Sequence, residues 1–247
     1  MRLFGAAVEG GGAMIGSRPG VLEMNPVDTQ ARIFIQARME SARFPGKVLA
    51  SFRGRPVLAW VIERLLRVVD RKRIVVATSD RLSDNPVAAV VGRLGIDVFR
   101  GSHQNVAQRF QDCLECFPCP WVFRISADSP LIDPSVLVMI SKQCSDEFDL
   151  VTNVFPRTFP RGHSVELIRS ETFLSLDTKE MTSDQKEHVT QIYYDSPSSF
   201  RIRNVESGDP SRAKLNYCVD TPEDLNRLEV EVSQGLLPSL RCGMESE

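Results

Sequence analysis

The chain has 247 residues, of which 42% are apolar and 25% charged, close to the average of soluble globular proteins. That composition excludes a disordered, collagen-like or disulfide-stapled protein, and no uncharged apolar run approaches the roughly 18–20 residues that cross a bilayer. Thirty Lys and Arg against 32 Asp and Glu, a formal charge of −2, argue against a broad electrostatic footprint for nucleic acid but not against a small cationic pocket.

Residues 1–30 carry Gly5, Gly10, Gly11, Gly12, Gly16 and Gly20 without apolar periodicity, and read as a flexible extension or a mis-assigned start with Met24 as initiator. The same stretch lacks the clean apolar core of a signal peptide, and six cysteines are too few for a disulfide scaffold. A cytoplasmic protein with reduced thiols is expected. From residue 31 to about 235 a single domain is expected, followed by a tail over 236–247. Its first strand is Ala31–Ala37, and apolar spacing predicts a helix over Arg55–Asp70. Strand Arg73–Ser79 follows, then helix Asp84–Leu94 stopped by Gly95, strand Ile96–Arg100, helix Asn105–Phe117 and strand Trp121–Ser126. Pro134 opens a helix to about Cys144. The thiols Cys113, Cys116 and Cys119 have the spacing of an iron–sulfur run but no fourth ligand, and read as small side chains at a helix end.

Repeated strand–helix alternation with short links predicts an α/β fold: a mixed, mostly parallel sheet flanked by helices. After residue 150 the pattern changes, and a small β-containing excursion is expected over 150–205. It comprises strand-like Leu150–Asn153, a Pro/Arg-rich loop over Phe155–His163, strand Ser164–Arg169, two helical stretches and strand Phe200–Glu206. A last strand, Leu215–Val219, precedes a helix that starts at Pro222 with Thr221 as N-cap.

Ligands of open α/β sheets sit beyond the carboxyl ends of the strands. The segment from Gln36 and Ala37 to Lys47 occupies such a position and carries Arg38, Arg43 and Lys47 on a polar loop, with Gly46 allowing close backbone approach. Arginine forks and a mobile ammonium suit a polyphosphate, although the same residues also describe a solvated basic loop. No Walker sequence is present. Asp128, directly after a buried strand and held by a turn containing Pro130, has the character of a hard-cation ligand. Asp220, left at the end of the expected last strand and outside the capping job, suits a partner role on the same metal, although it also reads as an extra charge near the helix N-terminus. Asp133 reads as an N-cap before Pro134. His103, Asn105 and Arg109 follow a strand end, in reach of a nucleoside or sugar, and Asn105 equally fits a plain N-cap.

Taken together, Gln36-Ala-Arg-Met with Ser41-x-Arg-x-Pro-Gly-Lys47, Arg124-Ile with Asp128-x-Pro, Pro160-Arg-Gly162, Glu187-His-Val-Thr190 and Val219-Asp-Thr-Pro-Glu-Asp224 carry a resemblance. From about Ala31 to Leu228 the chain resembles the spore-coat polysaccharide type of cytidylyltransferase, related to acylneuraminate and 3-deoxy-manno-octulosonate cytidylyltransferases. The resemblance implies a nucleotide-diphospho-sugar transferase fold and Mg²⁺-dependent transfer of CMP from CTP to an acidic sugar of the nonulosonate or octulosonate kind. It further implies surface polysaccharide synthesis and a homodimer joined through the 150–205 excursion. Arg38 and Lys47 would be catalytic and hold the triphosphate, with Gln36, Ala37, Arg43 and Arg109 completing the nucleotide site. Asp128 and Asp220 would hold the metal, while Arg161, His163, Glu166 and His188 would face the sugar. Three positions depart from the family pattern: Glu40 and Ala127 replace glycines, and Ser164 replaces an aspartate. A catalytically silent nucleotide-binding relative, or a glycosyltransferase using a nucleotide sugar, remains the alternative reading.

Overall fold

The computed structural model describes residues 30–237. The chain runs β1 (Arg32–Gln36), a hairpin of β2 (Ser51–Phe52) and β3 (Arg55–Pro56), α1 (Val57–Leu65), β4 (Ile74–Ser79), α2 (Asn85–Arg93) and β5 (Asp97–Gly101). Then come α3 (Val106–Cys116), β6 (Trp121–Ser126), α4 (Pro134–Ser141), β7 (Leu150–Thr152), β8 (Glu166–Arg169) and α5 (Ser170–Leu174). The short helices α6 (Ser183–Glu187) and α7 (Gln191–Asp195), strand β9 (Ile202–Asn204) and helix α8 (Pro222–Ser233) complete it.

Seven strands form one sheet in the order β5-β4-β1-β6-β8-β7-β9. All neighbours pair in parallel except β8, which is antiparallel to both β6 and β7. The stretch after residue 150 therefore extends the main sheet. Both sheet faces are covered, and for that reason the central strands are apolar at consecutive positions. Ile33, Ile35, Val76, Phe123 and Ile125 pack with α1, α2 and α4 on one face. On the other, Phe34, Val75, Ala77 and Val122 pack with α3 and with Phe173 and Tyr193. A third cluster, Phe52, Trp60, Val219 and Leu228, seats α8 against the hairpin.

Local signals place most helix starts. Asn105 accepts the Gln108 N–H at 2.9 Å, Asp133 accepts that of Ser135 at 2.9 Å, and Thr221 with Asp224 forms a capping box ahead of α8. Two expected elements differ. The helix expected over Arg55–Asp70 begins only at Val57, because Arg53 and Gly54, both at positive φ, turn the chain into a hairpin that takes Arg55 and Pro56, and it ends at Leu65. The strand expected over Leu215–Val219 joins no ladder beyond a single bridge between Arg161 and Asn216. Its backbone is spent on loops instead: Tyr217 N–H donates to the Arg161 carbonyl (2.7 Å) and Val219 N–H to that of Asp128 (2.8 Å). Gly162 permits this approach, since a Cβ there would lie 2.7 Å from the Tyr217 carbonyl carbon and its φ is +95°. The residues expected to form an N-terminal extension, apart from Gln30, and most of the expected tail lie outside the described residues.

Candidate active site

The carboxyl ends of β1 and β6 open into a cleft of about 320 Å³ lined by the loop after β1, by Arg124, Asp128 and Asp220, and by Glu187 and His188. The loop is held in shape from both ends. Gly46, at φ +76°, donates its N–H to the Met39 carbonyl at 2.7 Å and starts the turn that carries Lys47. Met39 N–H in turn donates to the buried Asp84 carboxylate at 2.6 Å, which also takes the Ser79 N–H at the end of β4.

The centre of the cleft is a charge cluster assembled from three distant segments. Lys47 Nζ donates to Asp128 Oδ2 at 2.7 Å and to Asp220 Oδ1 at 2.9 Å. The hydrogen bond from Val219 N–H to the Asp128 carbonyl places the two aspartates side by side. Arg43 and Arg161 close on Asp220 from the solvent side, at 3.1 and 3.2 Å. Burial opposes the charge on Lys47, but the two carboxylates outweigh it and hold the ammonium above its usual range. Burial likewise opposes the Asp220 anion, yet Lys47, Arg43 and Arg161 bring its carboxyl below the usual range.

Two oxygen donors already sharing one cation fit the demands of Mg²⁺, which commonly takes one or two carboxylates and fills its shell with water and substrate phosphate. Among the described residues no group of three or more His, Cys, Asp or Glu side chains forms a self-sufficient metal cage.

The remaining expected residues separate into two sets. Gln36, Arg38, Arg43, Lys47, Asp128, Asp220 and His188 line the cleft, and Arg161 borders it through Asp220. Arg38 makes a two-pronged ion pair with Glu187, at 3.0 and 2.5 Å. Ala37 is buried beneath the loop and supports it through its backbone, its N–H bonding the Ala77 carbonyl at 3.3 Å. Glu166, His163 and Arg109 are turned into the interior. Glu166 is 3% exposed and accepts from Arg124 (2.6 Å), Thr190 (2.7 Å) and Tyr194 (2.5 Å). Burial opposes its charge, but Arg124 and the two hydroxyls prevail and keep the carboxyl below its usual range. Arg109 is 0% exposed and donates through Nη1 to the Ser102 carbonyl at 2.8 Å.

His163, 4% exposed, donates from Nε2 to the Leu131 carbonyl at 3.0 Å, and burial lowers its pKa to about 4. The ring is therefore neutral at pH 7. Because the folded value lies below the unfolded 6.5, the unfolded chain takes the proton first. Stability from this group is intact above pH 6.5 and falls as pH drops toward about 4, by on the order of 3 kcal/mol. Denaturant melts across that range should show a flatter profile in His163→Gln than in the unsubstituted protein.

Three contributors were not assigned a role from the sequence. Arg124 had a legible signal, a lone cation inside the apolar strand WVFRIS, where only a buried partner makes it tolerable. Glu187 stands in the Glu187-His-Val-Thr190 run that carries part of the resemblance, but its partner Arg38 lies 149 positions away, and Asp84 reads only as the start of a helix.

A family model described as cytidylyltransferase matches residues 33–237. The chain belongs to the cytidylyltransferase family. It is 29% identical over 201 residues to the spore coat polysaccharide biosynthesis protein SpsF of Bacillus subtilis (strain 168), covering 79% of this chain and 83% of that one. Over 114 residues it is 35% identical to the 3-deoxy-manno-octulosonate cytidylyltransferase of Tolumonas auensis, 44% of this chain and 43% of that protein. A cytidylyltransferase structure from Leptospira borgpetersenii superposes with a TM-score of 0.77 at 27% identity, covering 83% and 87% of the two chains. The CMP:2-keto-3-deoxy-manno-octonic acid synthetase complexed with CTP shares the fold, with a TM-score of 0.64 at 20% identity over 84% of this chain and 100% of that one.

Proposed function

We propose that this member of the family transfers CMP from CTP to an acidic sugar of the octulosonate or nonulosonate kind, releasing pyrophosphate, for surface polysaccharide synthesis. The observation that carries the reading is the Lys47 ammonium between Asp128 and Asp220, in a cleft whose loop presents Arg38 and Arg43. The name of the Tolumonas auensis relative, matched over 44% of this chain, points to cytidylyl transfer and to a sugar acid as acceptor, and that of the Bacillus subtilis relative to polysaccharide synthesis.

In the proposed reaction a sugar hydroxyl, giving its proton to solvent, attacks the α-phosphorus; the bond from oxygen to phosphorus forms as the bond to the oxygen bridging to the β-phosphate breaks, and pyrophosphate leaves. Such a displacement needs in-line placement and charge neutralisation more than covalent help. Arg38 and Arg43 are placed to grip non-bridging oxygens, and Lys47 to follow charge onto the leaving pyrophosphate. Asp128 and Asp220 would hold Mg²⁺, which when bound neutralises phosphate charge and orients the triphosphate. Arg124, fixed by Glu166 and donating to Gln36 at 3.0 Å, sets a further cation in the cleft wall, where an anionic acceptor would lie. No described helix is long and apolar enough to cross a membrane, and the reading places the protein in the cytoplasm as a homodimer.

The test is pyrophosphate release with Mg²⁺, each of the four NTPs being offered with 2-keto-3-deoxy sugar acids and with sugar 1-phosphates. Release with CTP and a keto-acid sugar alone is the expected result, from a species with the mass of two chains in light scattering. Release only with a sugar 1-phosphate, or nucleotide binding without any release, would replace this reading with another transferase or a silent relative.

A further inference from the structure

Each cation of the loop after β1 is engaged by a carboxylate of the chain itself: Arg43 by Asp220, Lys47 by Asp128 and Asp220, and Arg38 by Glu187. The last pair differs in kind. Each Glu187 oxygen accepts from a different terminal nitrogen of Arg38, the fork arrangement that a phosphate would use. The two residues are 149 positions apart, so the contact joins the nucleotide loop to α6. Among the described residues Glu187 has no other side-chain bond.

Its surroundings suit a residue that moves. The start of α6 is fixed by the capping box of Thr182 and Gln185, and α7 is tied to the sheet through Thr190 and Tyr194 on Glu166. Between these anchors, Glu187 and His188 face the cleft, and Glu187 meets the wall opposite only through Arg38. Arg109, buried nearby with Nε and Nη2 unpartnered, adds a second guanidinium whose charge Glu187 offsets.

We propose that Glu187 is a positioning residue that occupies Arg38 in place of phosphate. An arriving triphosphate displaces it, and the Glu187–His188 turn is thereby released beside the acceptor site. The inference rests on the reading that this cleft takes a nucleoside triphosphate.

The experiment titrates inorganic tripolyphosphate and, separately, CTP into the unsubstituted protein, Glu187→Gln and Glu40→Gln, without divalent metal. Glu187→Gln should tighten both ligands about fivefold (~1 kcal/mol), the worth of a partly exposed ion pair. Glu40 lines the same cleft but is held by His103 at 3.0 Å, and Arg81 lies 3.7 Å away. Glu40→Gln removes the same charge from the same cleft without freeing Arg38, and should tighten binding by less than Glu187→Gln does. Equal gains in the two variants, or unchanged or weaker binding in Glu187→Gln, would overturn the proposal; a merely structural Glu187 predicts the weaker binding. On the unsubstituted protein, tripolyphosphate should speed hydrogen exchange at the amides of His188 and Gln191, and unchanged or slower exchange would count equally against it. Failure of the cytidylyl reading shows separately, as no CTP-dependent pyrophosphate release in the test above alongside an intact tripolyphosphate result.

Discussion

Lys47→Ala is expected to lower kcat/KM at least about 100-fold, ~2.7 kcal/mol of transition-state stabilisation. The magnitude follows from how many groups depend on one ammonium. Lys47 touches Asp128 and Asp220 at 2.7 and 2.9 Å, and its removal leaves neighbouring carboxylates without the charge that reconciles them. It also removes a cation beside the proposed phosphate path. Lys47→Arg should rescue little, because a planar fork does not reproduce a point charge shared between two acceptors. Steady-state kinetics on Lys47→Ala, Asp220→Asn and the double variant provide the check. The double variant should be little worse than the poorer single one, as residues acting as a unit are not additive. A loss below tenfold in Lys47→Ala would return the loop to a solvated basic surface.

Glu166→Ala is expected to act on stability as strongly as Lys47→Ala acts on rate. The carboxylate receives Arg124, Thr190 and Tyr194, and Tyr194 is also bonded to Thr152 at 3.0 Å, so β6, β7, β8 and α7 meet on it. Removing one partner of a buried ion pair strands the other, which costs about 3–5 kcal/mol. In a chain of this size that corresponds to a fall in Tm of roughly 6–20 °C. Thermal denaturation measures it directly. Glu171→Ala, which breaks the exposed Arg169–Glu171 pair, is the control and should leave Tm unchanged. A shift in Glu166→Ala no larger than in that control would mean that Arg124 finds another partner. Because Arg124 lines the cleft, the same substitution should impair binding of an anionic acceptor.

What the amino-acid sequence determines here is whatever physics acts over a few residues. Apolar runs such as RIVVATS mark strands covered on both faces, and Asn105, Asp133 and Thr221 mark helix starts because each cap bonds an N–H two or three positions on. The basic loop after β1 and Asp128 after β6 can be picked out as candidates for the same reason, since residue type and position at a strand end restrict their chemistry, and Asp220 as the acid left over beside the α8 capping box. Tertiary structure alone decided which of these groups meet. Lys47 is 81 positions from Asp128 and 173 from Asp220, and Arg38 is 149 from Glu187. It also turned Glu166, His163 and Arg109 inward and brought Arg124 to the cleft, outcomes that depend on which face of the sheet and which loop lie opposite. The expected strand at Leu215–Val219 shows the same limit, because its extended backbone bonds to two loops far away in sequence rather than to a strand edge. A pattern of residues carries its local hydrogen bonds with it, whereas a charge acquires its partner only when the chain closes around it.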